Sequence, residues 1–147
     1  MTELLVDHVD SPIGSLLVVS DGTRLCALDF GDDDESALRA VQARYAGARL
    51  REQDDPAGIS SRLRAYFDGD RTAIDAIDVE PGGTPFQRAV WTALRAIPSG
   101  TTRTYGDIAA QLGQPAATRA VGAANGRNPI AVVVPCHRLV GADASLI

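Results

Sequence analysis

The sequence predicts two small units in tandem, an α/β unit followed by a mostly α unit built around a helix-turn-helix. Three observations carry this. Short alternating apolar runs separated by Pro and Gly occupy the first part of the chain. Glu80-Pro81-Gly82-Gly83-Thr84-Pro85 interrupts it as a linker. Beyond lie an amphipathic helix and two short helices joined by Gly113-Gln114-Pro115. With 147 residues, 45% of them hydrophobic, the chain can bury a core in one ordinary domain or in two small ones sharing an interface. The expected domains are 1–80 and 85–147.

Residues 4–9 and 15–20 read as strands around Asp10-Ser11-Pro12-Ile13-Gly14, and 25–30 as a third strand after Asp21-Gly22, a strong hairpin signal. Residues 34–45 place Leu38, Val41 and Tyr45 on one helical face, with acids at the amino end where they suit the helix dipole. Residues 55–67 read as a second helix through Ile59, Leu63, Tyr66 and Phe67. After the linker, 86–97 carries Phe86, Val90, Trp91, Leu94 and Ile97 at helical spacing, with Thr84 as cap and Pro85 at the first helical position. Trp91 is expected in the core. Helices 104–112 and 116–124 complete the helix-turn-helix. The second presents Ala116, Ala117, Ala120, Gly122, Ala123 and Ala124, small residues that let a backbone approach another surface closely. A helix that reads base edges carries Asn, Gln or Arg. Arg119 is the single long polar side chain here.

The net charge of -5 hides a division. Residues 1–84 carry 8 Arg against 17 Asp plus Glu, giving -9, whereas residues 85–147 carry 6 Arg against 2 Asp, giving +4. A basic second half can meet phosphates while the acidic half faces solvent. The acidic run Asp32-Asp33-Asp34-Glu35 reads as a solvated loop and helix start. No segment has the apolar length of a membrane span and the amino end lacks a secretion signal, so a soluble, cytoplasmic protein is expected. In that reducing setting Cys26 and Cys136 stay unpaired. Cys26, in the alternating run 24–28, reads as a buried strand residue.

The run Val132-Val133-Val134-Pro135-Cys136-His137-Arg138-Leu139 ends an apolar strand on a proline and sets a thiol beside an imidazole and a guanidinium. Both neighbours favour the thiolate, the nucleophilic form. The ordinary reading of such a cysteine is an inert small hydrophobe. Contact between His137 and the Cys136 sulfur does not follow from adjacency, because neighbours on a strand point to opposite faces.

Upstream, Thr104-Tyr105-Gly106-Asp107-Ile108-Ala109-Ala110-Gln111-Leu112-Gly113 continues through Gln114-Pro115-Ala116-Ala117-Thr118-Arg119-Ala120-Val121-Gly122-Ala123-Ala124-Asn125-Gly126-Arg127-Asn128-Pro129 into the cysteine run. From about residue 86 to 145 the chain resembles the O6-alkylguanine-DNA alkyltransferases, also called methylated-DNA-protein-cysteine methyltransferases. Residues 1–80 match more loosely. The resemblance implies a ribonuclease-H-like α/β domain followed by a winged helix-turn-helix.

It also implies roles. Ala117, Thr118, Ala120 and Gly122 would line the helix that enters the minor groove, and Arg119 would take the place of a nucleotide extruded from the stack, since a base atom cannot react inside the duplex. Thr118 departs from the alanine of many relatives. Tyr105 would hold and polarise the flipped guanine at N3, and Asn128 would tie the recognition helix to the active-site strand. Pro135 and Leu139 would flank the acceptor, with the carbonyls of Cys136 and Leu139 accepting from the guanine amino group. Arg138 would be structural, and His137 would reach Cys136 through water. The implied reaction is displacement at the O6-alkyl carbon of guanine, and at O4 of thymine, by the Cys136 thiolate. It runs once per molecule, without cofactor or metal, in a monomer acting on double-stranded DNA that carries O6-alkylguanine.

The sequence stops at Ile147, eleven residues past Cys136, before the Gly-Tyr-rich loop and the final glutamate-bearing helix that the resemblance implies. A truncated, marginally folded form with impaired transfer is therefore expected. Three other readings compete. A lesion-binding alkyltransferase-like protein is favoured by the missing glutamate and disfavoured by Cys136. A transcriptional winged helix is disfavoured by the alanine-rich second helix. A Cys-His hydrolase lacks an evident third residue.

Overall fold

The computed structural model describes residues 3–30 and 34–141. Asp32, Asp33 and the segment after Gly141, on which part of the acidic-loop reading and the end of the resemblance fall, lie outside the described residues. The chain divides into two compact units, residues 1–82 and 83–147.

The first unit is a four-stranded sheet in the order β3-β2-β1-β4, with strands β1 (Glu3–Ser11), β2 (Gly14–Ser20), β3 (Leu25–Phe30) and β4 (Arg49–Glu52). The β1–β2 and β2–β3 pairs are antiparallel hairpins, and β4 runs parallel to β1. Ser11 and Gly14 close the first turn, Ser11 Oγ donating to the Gly14 carbonyl at 2.7 Å. Asp21 closes the second by accepting from the Thr23 and Arg24 amides at 3.0 and 2.8 Å. Alternation puts Leu4, Val6, Leu17, Val19 and Ala27 in one cluster, where they meet Val41 and Leu38 of helix α1 (Asp34–Arg44). Asp7, one step out of phase, faces the other side. There its carboxylate accepts from Ser60 Oγ at 2.6 Å and from the Asp55 amide at 2.9 Å, fixing the start of helix α2 (Ile59–Phe67).

Two features differ from the sequence expectation. The helix expected over 55–67 is broken: Pro56–Gly58 is a separate 3-10 turn, because Asp55 (φ 49°), Ala57 (φ 54°) and Gly58 (φ 74°) sit in left-handed conformations that no α-helix tolerates. Strand β4 was not expected, since Arg-Leu-Arg-Glu carries a single apolar residue. It forms because β1 offers an open edge, and Leu50 packs on the core. Arg44 Nη2 donates to the Cys26 carbonyl at 2.7 Å and Nη1 to the Pro81 carbonyl, fastening the end of α1 to β3 and to the start of the linker.

In the second unit, helix α3 (Pro85–Arg95) begins at Thr84, which forms a reciprocal capping box with Gln87. Val90, Trp91, Ala93 and Leu94 are its buried face. Strand β5 (Arg103–Thr104) leads into helix α4 (Tyr105–Gln111), capped by Thr104 and Asp107 in the same reciprocal way. Gly113 at φ 72° turns the chain, and helix α5 (Thr118–Gly126) follows. It starts two residues later than expected, because Gln114 to Ala117 form a turn in which the Ala117 amide donates to the Gln114 carbonyl at 2.9 Å. Trp91 Nε1 donates to the Ala124 carbonyl at 2.8 Å, locking α3 to the end of α5.

Among the described residues no helix is long and apolar enough to cross a membrane.

Candidate active site

The apolar run before Cys136 is not the strand that the sequence suggests. It folds back on itself. The Val133 amide donates to the Ala131 carbonyl at 2.7 Å around Val132, which is held at φ 69°, and the Val134 amide donates to the Ile130 carbonyl at 3.1 Å. A β-branched residue at positive φ is strained and persists only where its surroundings enforce it. Here the enforcement is visible. Asn128 Nδ2 donates to the Val134 carbonyl at 2.8 Å while Asn128 Oδ1 accepts from the Ile130 amide at 3.0 Å, so one carboxamide clasps both ends of the fold-back. Ile130, Val133 and Val134 bury their apolar side chains, and Val132 to Val134 form no strand.

Pro135 is buried and ends this loop, and Cys136–Arg138 forms a 3-10 turn with Cys136 as its first residue. The Cys136 amide donates to the Val134 carbonyl at 2.9 Å, and the Leu139 amide donates back to the Cys136 carbonyl. Cys136 is a free, half-buried thiol, whereas Cys26 is a free thiol with no exposure. Burial pushes the Cys26 thiol up, away from the nucleophilic form.

Strand β6 (Leu139–Val140) follows the turn at once and pairs in parallel with β5, Leu139 opposite Arg103 and Val140 opposite Thr104. The ladder therefore joins the cysteine turn to the two residues that precede Tyr105. Arg138 Nη1 donates to the Ile97 carbonyl at 2.7 Å, anchoring the turn to the chain just past α3. His137 lies outermost in the turn. Desolvation and then the Arg138 charge lower its pKa below the ordinary imidazole value, so it is neutral at physiological pH and has a free nitrogen to accept a proton.

The residues expected to bind DNA are placed unevenly. Thr118, Arg119 and Ala120 are exposed on α5, and Ala117, half-buried, is its cap residue. Gly122 is half-buried, and the space a side chain would fill there belongs to Tyr105: an added Cβ would lie 3.3 Å from Tyr105 Cε2. Leu139 is buried in the core, 2% exposed. Tyr105 itself is half-buried, and its hydroxyl oxygen completes no hydrogen bond among the described residues. Two contributors were missed in the sequence. Asn125 was not singled out, although its position three residues after Gly122 puts it on the face that meets Tyr105. The Trp91 indole N–H was read as core alone, with no signal for its bond to α5.

Residues 4–81 match the ribonuclease-like domain of the 6-O-methylguanine DNA methyltransferases, and residues 85–147 match their DNA-binding domain. The chain is also 46% identical over 149 residues to the methylated-DNA--protein-cysteine methyltransferase of Salmonella typhimurium, covering 99% of this chain and 87% of that protein. The chain belongs to the 6-O-methylguanine DNA methyltransferase family. Within the family it is 44% identical over 141 residues to the Mycobacterium tuberculosis protein of the same name, covering 94% of this chain and 79% of that one. The crystal structure of the Mycobacterium tuberculosis O6-methylguanine methyltransferase superposes with a TM-score of 0.79 at 37% identity, over 98% of this chain and 82% of the other. The structure of Mycobacterium tuberculosis OGT in complex with DNA gives 0.72 at 37% identity, over 97% and 81%. This methyltransferase thus has two units of known kind, ribonuclease-like and DNA-binding.

Proposed function

We propose that the protein repairs alkylated DNA by moving the alkyl group from O6 of guanine, and from O4 of thymine, to the Cys136 sulfur. The observation that carries this is the placement of Cys136. A half-buried thiol heads a turn anchored at both ends, beside an imidazole kept neutral and able to take its proton through water. The sulfur–carbon bond forms as the carbon–O6 bond breaks, and the electron pair stays on the purine. Guanine is a poor leaving group. Tyr105, with an unused hydroxyl, offsets the developing charge by donating to N3 of the base. The thioether is stable, so each molecule acts once and no cofactor takes part.

Access to the base requires extrusion from the duplex. Arg119 is read as the side chain that fills the vacated stack, with Ala117, Thr118, Ala120 and Gly122 forming the low surface that lets α5 enter the minor groove. Exposure of Thr118, Arg119 and Ala120 supports this, as does the +4 charge of residues 85–147. Asn128 orients the cysteine loop, and Pro135 and Leu139 border the base. Helices α4 and α5 with the β5–β6 ladder are read as the core of a winged helix-turn-helix. The protein is proposed to act as a monomer, in the cytoplasm, on duplex DNA carrying O6-alkylguanine.

Incubation with a duplex oligonucleotide containing one O6-methylguanine, followed by intact-mass measurement and peptide mapping, tests the reading. The expected result is one methyl on Cys136 and none on Cys26. Tight lesion binding with no mass change would replace it with a lesion-binding protein, a role that retention of the cysteine disfavours.

A further inference from the structure

The Tyr105 hydroxyl oxygen and Asn125 Oδ1 are both buried, and neither completes a hydrogen bond among the described residues. Orphaned polar atoms inside a folded protein are few and call for a reason. These two share one location. The Tyr105 ring lies on α5 at Gly122, where an added Cβ would come within 3.3 Å of Cε2 and 3.7 Å of Cζ. Asn125 follows three residues later, on the same helical face. A phenylalanine would pack on Gly122 as well as tyrosine does, and an apolar side chain would fill the Asn125 site without stranding an oxygen. The polar atoms are there for something other than packing.

We propose that Asn125 is a positioning residue for alkyl transfer, aiming the Tyr105 hydroxyl and supporting its donation to the extruded base; this rests on the alkyltransferase reading above. A phenol has one proton to donate, and a carboxamide can both accept and donate. In the free protein neither atom is committed to a partner among the described residues. When the base arrives, the hydroxyl turns its proton to the ring nitrogen, and Asn125 presents an Nδ2–H to the phenolic oxygen.

During transfer the Cys136 sulfur–carbon bond forms, the carbon–O6 bond breaks, and the proton passes from the phenol to the ring nitrogen. The phenolic oxygen then carries the charge that the Asn125 N–H stabilises, until water returns a proton to it. Burial raises the Tyr105 pKa, and the Asn125 side chain opposes that rise, the direction expected of a donor to the phenolic oxygen. No charged group among the described residues contributes to that shift.

The test is single-turnover transfer from a duplex containing O6-methylguanine, run across protein concentrations so that lesion affinity and maximal rate separate. Asn125→Leu is expected to lower the maximal rate about tenfold, the scale of one hydrogen bond to a group gaining charge, with affinity within about twofold of wild type. Combined with Tyr105→Phe, it should add nothing to the loss that Tyr105→Phe causes alone. Tyrosinate absorbance supplies a readout that packing alone would not move: the Tyr105 titration, identified by its loss in Tyr105→Phe, shifts to higher pH in Asn125→Leu. Asn125→Asp, nearly the same shape and unable to donate, should slow transfer and shift the titration at least as far, which covers the case in which Asn125→Leu misfolds. Wild-type rates in both variants while Tyr105→Phe is slow overturn the role of Asn125 and leave the alkyltransferase reading intact. Equal slowing with and without the tyrosine hydroxyl also overturns it. A wild-type protein that transfers no methyl overturns the functional reading and this inference together.

Discussion

Asn128 holds Val134 by its carbonyl at 2.8 Å, and the Cys136 amide bonds to that same carbonyl at 2.9 Å. Cys136 is thus one peptide group away from a side chain eight residues upstream. Asn128→Ala frees the Val134 carbonyl and the Ile130 amide and removes the clasp that keeps Val132 at positive φ. The expected cost is about 1–3 kcal/mol of stability for the polar groups left unpaired. Transfer should slow as well, because the cysteine turn loses its fixed position. Asn128→Asp keeps the acceptor for Ile130 and loses the donation to Val134, so it should fall between the two. Thermal unfolding with single-turnover rates checks the order; a fully active Asn128→Ala would show that the fold-back holds without its clasp.

In the proposed mechanism His137 sets the acid limb of the reaction. Its pKa lies below the ordinary 6.5, by desolvation first and by the Arg138 charge second. The rate should therefore stay high as pH falls past the usual imidazole range and drop only below it. Removing the charge with Arg138→Met should move the limb upward. The same shift links to stability: between the folded value and 6.5 the unfolded chain binds more protons, so stability rises with pH through that window. The contribution is complete above 6.5 and is lost as pH falls through the folded value. A rate–pH profile and acid unfolding of wild type and His137→Gln measure both; an acid limb at or above 6.5 would contradict the assignment.

Much of the second unit was legible because its signals are local. Thr84-Pro85 with Gln87, and Thr104 with Asp107, state where helices begin, and both helices start there. The cysteine loop was misread for the opposite reason. Three valines in a row carry the strongest strand propensity in the chain, and that propensity lost to a single side chain, Asn128, whose amide replaces the pairing partner a strand would need. Strand β4 was hidden because its stability comes from the edge of β1, a long-range partner that Arg49 to Glu52 do not advertise. Likewise the meeting of Tyr105 and Asn125 depends on how α4 crosses α5. Sequence spacing gives the face of each helix and not the crossing.

Gly83 is needed for both its backbone and its emptiness. It sits at φ 84°, and an added Cβ would fall 2.8 Å from Trp91 Cζ3 and 2.8 Å from Gln87 Oε1. Gly83→Ala must either strain the backbone or displace the indole, and the indole carries the bond to the Ala124 carbonyl at the end of α5. A loss of about 1–3 kcal/mol is expected from the conformation alone. Trp91 is the only tryptophan of the chain, so its fluorescence reports the displacement directly. An unchanged emission maximum together with an unchanged unfolding midpoint would show that the site accommodates a methyl group.

Replacing Arg119 tests base extrusion apart from chemistry. Arg119 is exposed near the start of α5 and away from the cysteine turn in sequence, so its removal should leave the domain and the thiol intact. If it fills the stack vacated by the flipped base, Arg119→Ala must slow transfer only where a base has to be extruded. On a duplex lesion the loss should be roughly a hundredfold, the scale of the few kcal/mol that unstacking and unpairing cost. On free O6-benzylguanine, which needs no extrusion, the rate should stay close to wild type. Salt gives a second discrimination. Affinity for duplex should fall as salt rises, because residues 85–147 carry +4, but a side chain working inside the stack releases no counterion from a phosphate. The logarithmic salt slope of Arg119→Ala should then differ from wild type by less than about 0.9, the change expected for one lost phosphate contact. Equal losses on duplex and free base would place Arg119 in the chemistry, and a full unit of slope would place it on the backbone.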